Sequence, residues 1–172
     1  MIKVGGSLII LFVSTSLGFQ MAARYVRRTA ELGQLQVALK TLESEIAYTL
    51  TPLPEALLRV GALTGGPVGQ FFSRAGQLLA EGQRLTVAEA WTMAIREAAG
   101  ELALQARDLQ IILDLGNRLG GLDREGQKKY LEQALARLWQ EELASLEGEK
   151  KYVRLWRYLG FVGGLAVILL LL

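Results

Sequence analysis

Apolar residues recur at helical spacing along most of the chain and thicken into near-continuous runs at its two ends. Leu35, Leu39, Leu42 and Ile46 share one face of a helix predicted to run from the N-terminal apolar segment to about residue 50. Thr51-Pro52 restarts the chain, with Thr51 as N-cap, Pro52 at the first helical position and Glu55 in the first turn. That second helix is expected to end near residue 63, before Gly65-Gly66-Pro67. A third, over 68–80, offers Phe71, Phe72, Leu78 and Leu79 to a core. Thr86-Val87-Ala88-Glu89 has capping-box spacing and opens a fourth, with Trp91 and Ile95 one turn apart. Gly100 divides it from a fifth over 101–119, whose apolar face is Leu102, Leu109, Ile112, Leu113 and Leu119. After Gly120-Gly121, Asp123 caps a long last helix. Leu131, Leu135 and Leu138 form its stripe, which drifts toward Leu146, and Gly148 is a point of kinking. No strand-like alternation occurs. Short connections favour antiparallel neighbours, so the expected fold is all-α, a compact antiparallel bundle of about six helices.

The ends ask for a different solvent. Residues 4–23 form a 20-residue stretch without a charge, long enough as a helix to cross about 30 Å of hydrocarbon. Lys3 and the run that follows also resemble a signal peptide, but Arg24, Arg27 and Arg28 come directly after and resist translocation, which favours an uncleaved anchor. Residues 159–172 span only about 21 Å of helix. They reach membrane length if Arg154 and Arg157 snorkel and Trp156 and Tyr158 sit at the interface. Small-residue pairs, Ser14 with Gly18 and Gly160 with Gly164, have the spacing that permits close packing of membrane helices. The expected organisation is an N-terminal transmembrane anchor with its basic flank over 1–28, a cytoplasmic bundle over 29–149, and a basic flank with a second membrane segment over 150–172.

Charge sharpens this division. The net +2 is the sum of +4 over residues 1–28, −6 over 29–149 and +4 over 150–172. An acidic middle argues against nucleic acid as a partner, because a binding surface must gather cations to displace phosphate counterions. Basic collars beside apolar runs put the middle region in the cytoplasm and both termini outside.

Chemistry is sparse. The chain has no cysteine and no histidine, which removes thiol, disulfide and imidazole chemistry. It lacks a phosphate-binding loop motif, and no cofactor or metal set is legible. Glu43 and Glu45 lie two apart, a spacing that turns carboxylates away from each other on a helix. A carboxylate-dependent hydrolase is therefore the weakest reading, and the chain is expected not to be an enzyme.

Leu39 to Leu57, LKTLESEIAYTLTPLPEAL, resembles the signature of the stage III sporulation protein AB family. Two further stretches fit it: LGNRLGGLDREGQ from Leu115 to Gln127, and YLGFVGGLAVILLLL from Tyr158 to the end. The resemblance implies a non-enzymatic subunit of the channel between mother cell and forespore, in the mother-cell membrane. Its fold would be similar to the cytoplasmic domain of the type II secretion platform protein. The partners it implies are membrane lipid, the companion stage III sporulation protein AA ATPase and other membrane subunits of the channel; homo-oligomerisation is left open. A general membrane-tethered helical adaptor for another cytoplasmic partner is the alternative. For the motif residues two accounts compete. Tyr48, Thr51, Pro52, Pro54 and Asp123 are explained by caps, turns and packing, whereas Glu45, Glu55, Arg124 and Gln127 are candidates for an exposed docking face.

Overall fold

A computed structural model of the protein describes residues 2–81, 85–120 and 124–171, leaving aside the side chains of 2–12, 14, 124, 157, 160–161 and 163–171. The elements are α1 (Ile2–Ala47), α2 (Leu53–Thr64), α3 (Gly66–Ala80), α4 (Val87–Ala98), α5 (Ala106–Leu119) and α6 (Arg124–Leu171). No strand occurs among the described residues. The fold is all-α.

Helix starts show where local pattern decides and where a distant partner overrides it. Thr86 caps α4 as expected: its hydroxyl accepts from the Glu89 amide, and its own N–H donates to the Glu89 carboxylate at 2.8 Å. α2 corrects the reading by one residue. Its N-cap is Pro52, without a side-chain cap, and Pro54 lies in the first turn. Thr51 does not cap because its hydroxyl donates instead to the Glu45 carboxylate, at 2.7 Å. α5 begins at Ala106 rather than near 101. The Ala103 amide is drawn to the buried Glu31 carboxylate of α1 at 2.6 Å, and the Gln105 amide donates to Asp108 at 2.8 Å. Residues 102–105 are thus held outside a helix. α6 runs through Gly148 as one element. The expected cap Asp123 lies outside the described residues.

The chain divides into two compact units. The central unit, Ala30–Glu142, builds its core on the expected α1 stripe, with Leu35, Leu39, Leu42 and Ile46 all buried. At its middle Phe71 and Phe72 meet the Trp91 ring edge-on, at centroid distances of 5.0 and 5.8 Å. The Trp91 indole N–H donates to the Ile112 carbonyl of α5 at 2.8 Å. This approach requires glycine at 116, because a Cβ there would collide with the indole ring. α2 and α3 are equally close. A Cβ on Gly61 would lie 2.6 Å from the Ser73 amide nitrogen and 2.7 Å from the Gly69 carbonyl. Between these helices Gly65 and Gly66 take φ of 64° and 58°, the left-handed values that glycine adopts without steric cost.

The terminal unit combines α1 up to Thr29 with α6 from Leu143 onward. Tyr25 stacks on Tyr152 at 5.3 Å, and the Thr29 and Ser145 hydroxyls share a buried 2.9 Å hydrogen bond. Moving back along α1 moves forward along α6, so the two helices pair antiparallel here. Exposed apolar residues gather toward the two ends of the chain, Val13, Leu17 and Phe19 on α1 and Leu155, Tyr158, Leu159 and Val162 on α6, while Arg24, Arg27, Lys150, Lys151 and Arg154 are exposed nearer the central unit. Gly18 is buried, whereas Ser14, Gly160 and Gly164 lie outside the described side chains, and with them the expected small-residue contacts. The two expected membrane crossings find no support in the helices themselves: among the described residues none is long and apolar enough to cross a membrane. Much of both apolar runs, at 2–12 and 163–171, falls outside the described side chains, and the described stretches include Arg24 and Arg154.

Candidate docking site

The signature stretch occupies the end of α1, the turn after it and the start of α2. α1 ends at Ala47, and Tyr48 and Thr49 still direct their amides to the Ser44 carbonyl. The chain then reverses through Leu50, whose φ of 58° is left-handed, a conformation that costs a residue with a Cβ about 1–2 kcal/mol. The turn is held by two bonds to Glu45. The Thr51 amide donates to its carbonyl at 3.1 Å and the Thr51 hydroxyl to its carboxylate at 2.7 Å.

Arg59, one turn beyond Glu55 on α2, joins the two candidate carboxylates. Its guanidinium lies 2.8 Å from Glu55 and 3.6 Å from Glu45. Glu45 is half-buried, while Glu55 and Arg59 are exposed. Beside the pair, Tyr48 does not pack as expected, because α1 ends before it and leaves it 77% exposed; with Leu50 55% exposed, apolar surface and fixed charge lie side by side. Glu43 faces elsewhere. It is buried and takes a 2.9 Å bond from Lys40, whose ammonium is stabilised and its pKa raised by that contact.

Of the candidate docking residues, then, Glu45 and Glu55 come together through Arg59, with Thr51 locking Glu45 and Pro52 and Pro54 starting α2. Gln127 does a different job: its side-chain amide donates to the Leu119 carbonyl at 2.8 Å and closes the end of α5. The Arg124 side chain lies outside the described residues. Sequence reading missed Arg59 and the exposed Leu50. The Glu55–Arg59 i,i+4 spacing is a signal for the former; nothing in the sequence signals a left-handed leucine. Among the described residues no group of acidic side chains is arranged to hold a metal ion.

The fold and this corner define a class: all-α, with six helices among the described residues, and a turn of fixed charges beside exposed apolar side chains. The family model for stage III sporulation protein AB matches residues 3–172, so the chain belongs to that family. It is 32% identical over 172 residues to stage III sporulation protein AB of Bacillus subtilis (strain 168), covering 100% of both chains. A solved structure of a stage III sporulation protein AB matches with a TM-score of 0.68 at 28% identity, covering 73% of this chain and 98% of that one. Family membership supports a role in sporulation.

Proposed function

We propose that the protein is a non-enzymatic membrane platform subunit of the mother cell–forespore channel, holding a secretion-type ATPase through its central unit. The observation that carries this reading is the contrast between the exposed apolar ends of the terminal unit and the charged corner of the central one. Exposed Val13, Leu17, Phe19, Leu159 and Val162 form a surface that a water-facing monomer rarely carries. Bilayer lipid or membrane subunits would cover it, with the 24–28 and 150–157 basic clusters at the cytoplasmic headgroups. The antiparallel pairing in the terminal unit is compatible with both termini lying on one side.

In this reading Glu45, Glu55, Tyr48 and Leu50 meet the companion stage III sporulation protein AA ATPase. Co-purification of that ATPase with the full-length chain is the test. Glu55→Lys, an exposed change, should weaken capture about tenfold, as loss of one close interfacial charge pair does. Leu50→Gly should relieve the backbone strain and remove an apolar contact, leaving a folded chain with weaker capture. Undiminished capture by both variants would overturn the corner as the docking site. A chain that stays in the aqueous fraction when lipid vesicles are floated would overturn the membrane assignment.

A further inference from the structure

We infer that a cleft between α5 and α6 is a second protein-binding site, built to take the carboxylate groups of a short acidic segment. The cleft has a volume of about 310 Å³ and is lined by Ile111, Leu115 and Ala134 at its floor and by Arg118, Lys129 and Arg137 among its polar groups. Three cations converge here within a region whose net charge is −6.

Their arrangement is pre-formed. The Arg118 guanidinium lies over the Tyr130 ring, 4.7 Å from its centroid, and donates one bond to the Tyr130 hydroxyl at 3.0 Å. Fixing a planar fork of five donors while using one of them leaves a site suited to bidentate recognition of a carboxylate. Asp114 also lines the cleft. It stands 3.8 Å from Arg137, at the edge of an ion pair, and is drawn as well to the Gln110 amide at 2.8 Å. One acid against three bases leaves a local excess of positive charge.

That balance selects the ligand. The planar Arg118 fork matches a carboxylate, the apolar floor accepts the methylene groups that carry it, and a long polyanion would meet the acidic surroundings of the cleft. A segment with one or two glutamates or aspartates carries single charges, fits the volume and needs only local complementarity. The inference rests on the scaffold reading for its class of partner, but its surface is not the Glu45–Glu55 corner, and its probe is not the ATPase.

The test is fluorescence anisotropy of a labelled six-residue peptide, Gly-Gly-Glu-Glu-Gly-Gly, titrated with the protein, with its diglutamine counterpart and inorganic phosphate as comparisons. The diglutamate peptide should bind, the diglutamine peptide should not, and salt should weaken the complex. The double change Arg118→Gln with Arg137→Gln should weaken binding about tenfold. Tyr130→Phe, which frees the guanidinium without removing charge, should weaken it less. Arg74→Gln, a loss of positive charge outside the cleft, should leave binding unchanged. Equal binding by wild type and the double variant would overturn the site, as would absence of peptide binding by the wild type. Displacement of the peptide by phosphate at lower concentration than by acetate would overturn the ligand class. ATPase capture reports on the corner alone, so either site can fail while the other stands.

Discussion

The central unit closes its two phenylalanines and Trp91 into one core, whereas the terminal unit turns several of its large apolar side chains outward. Phe71, Phe72 and Trp91 are buried in mutual contact, and six helices contribute residues to that core. In the terminal unit the described internal contacts include one tyrosine stack and one hydroxyl pair, while Leu17, Phe19 and Val162 are more than half exposed. The difference teaches that the two units require different surroundings. Burial of apolar surface stabilises the central unit in water by about 25 cal/mol per Å². The outer side of the terminal unit gains that contribution only when something apolar covers it.

The comparison breaks most sharply at Trp91. Trp91→Ala removes the ring on which two phenylalanines rest and a buried hydrogen bond, and should destabilise the central unit by about 3–5 kcal/mol. Hydrogen exchange should then rise across α3–α5, with much less change near residues 145–155. Equal loss of protection in both units would show that they unfold as one and sink the distinction.

Gly116→Ala attacks the same contact from the other side. The added methyl meets the indole ring, and overpacking of this kind costs about 1–3 kcal/mol. The Trp91 fluorescence should shift as the ring is displaced; an unchanged spectrum and unchanged melting temperature would mean the ring has room that the packing denies.

A change in the terminal unit should act in the opposite place. Thr29→Val leaves the Ser145 hydroxyl buried without its partner, at a cost of about 1 kcal/mol. Exchange protection should fall around residues 25–29 and 145–152 and stay unchanged at Trp91. Membrane-like surroundings should not abolish the effect, because the lost bond lies between the helices and not on their outer side.

How far the sequence could be read follows the range of the interactions. The Thr86–Glu89 box, the α1 leucine stripe and the six-helix count depend on neighbours within one or two turns, and all were legible. The start of α5 was not, because Glu31, 72 positions from Ala103, decides it. The start of α2 differs by one residue for another reason, since Glu45 is only six positions from Thr51 and it is the turn between them that brings the two together. A threonine before proline reads as a cap until a carboxylate on the preceding helix claims its hydroxyl. At the corner, Glu45 and Glu55 are legible only singly, and their joining through Arg59 needs the α1–α2 turn that only the folded chain supplies.

The smallest effect separates the units by pH. Glu89 is held below the usual carboxylate range by the Thr86 backbone N–H and then by the Thr86 hydroxyl. A depressed folded pKa contributes stability that is present above the unfolded value and is lost as pH falls through the folded one. Glu89→Gln should therefore be less stable than wild type at neutral pH, with the deficit shrinking as pH falls through the lowered folded-state pKa and the wild-type carboxylate protonates. The Thr29→Val deficit should behave otherwise, since the Thr29–Ser145 pair carries no ionisable group and has nothing to lose on acidification. Urea midpoints for wild type and the two variants, measured from neutral to acid pH, give both differences from one data set. A Glu89→Gln deficit that persists in acid would show that the glutamate acts by its shape and packing at the α4 start and not by its charge.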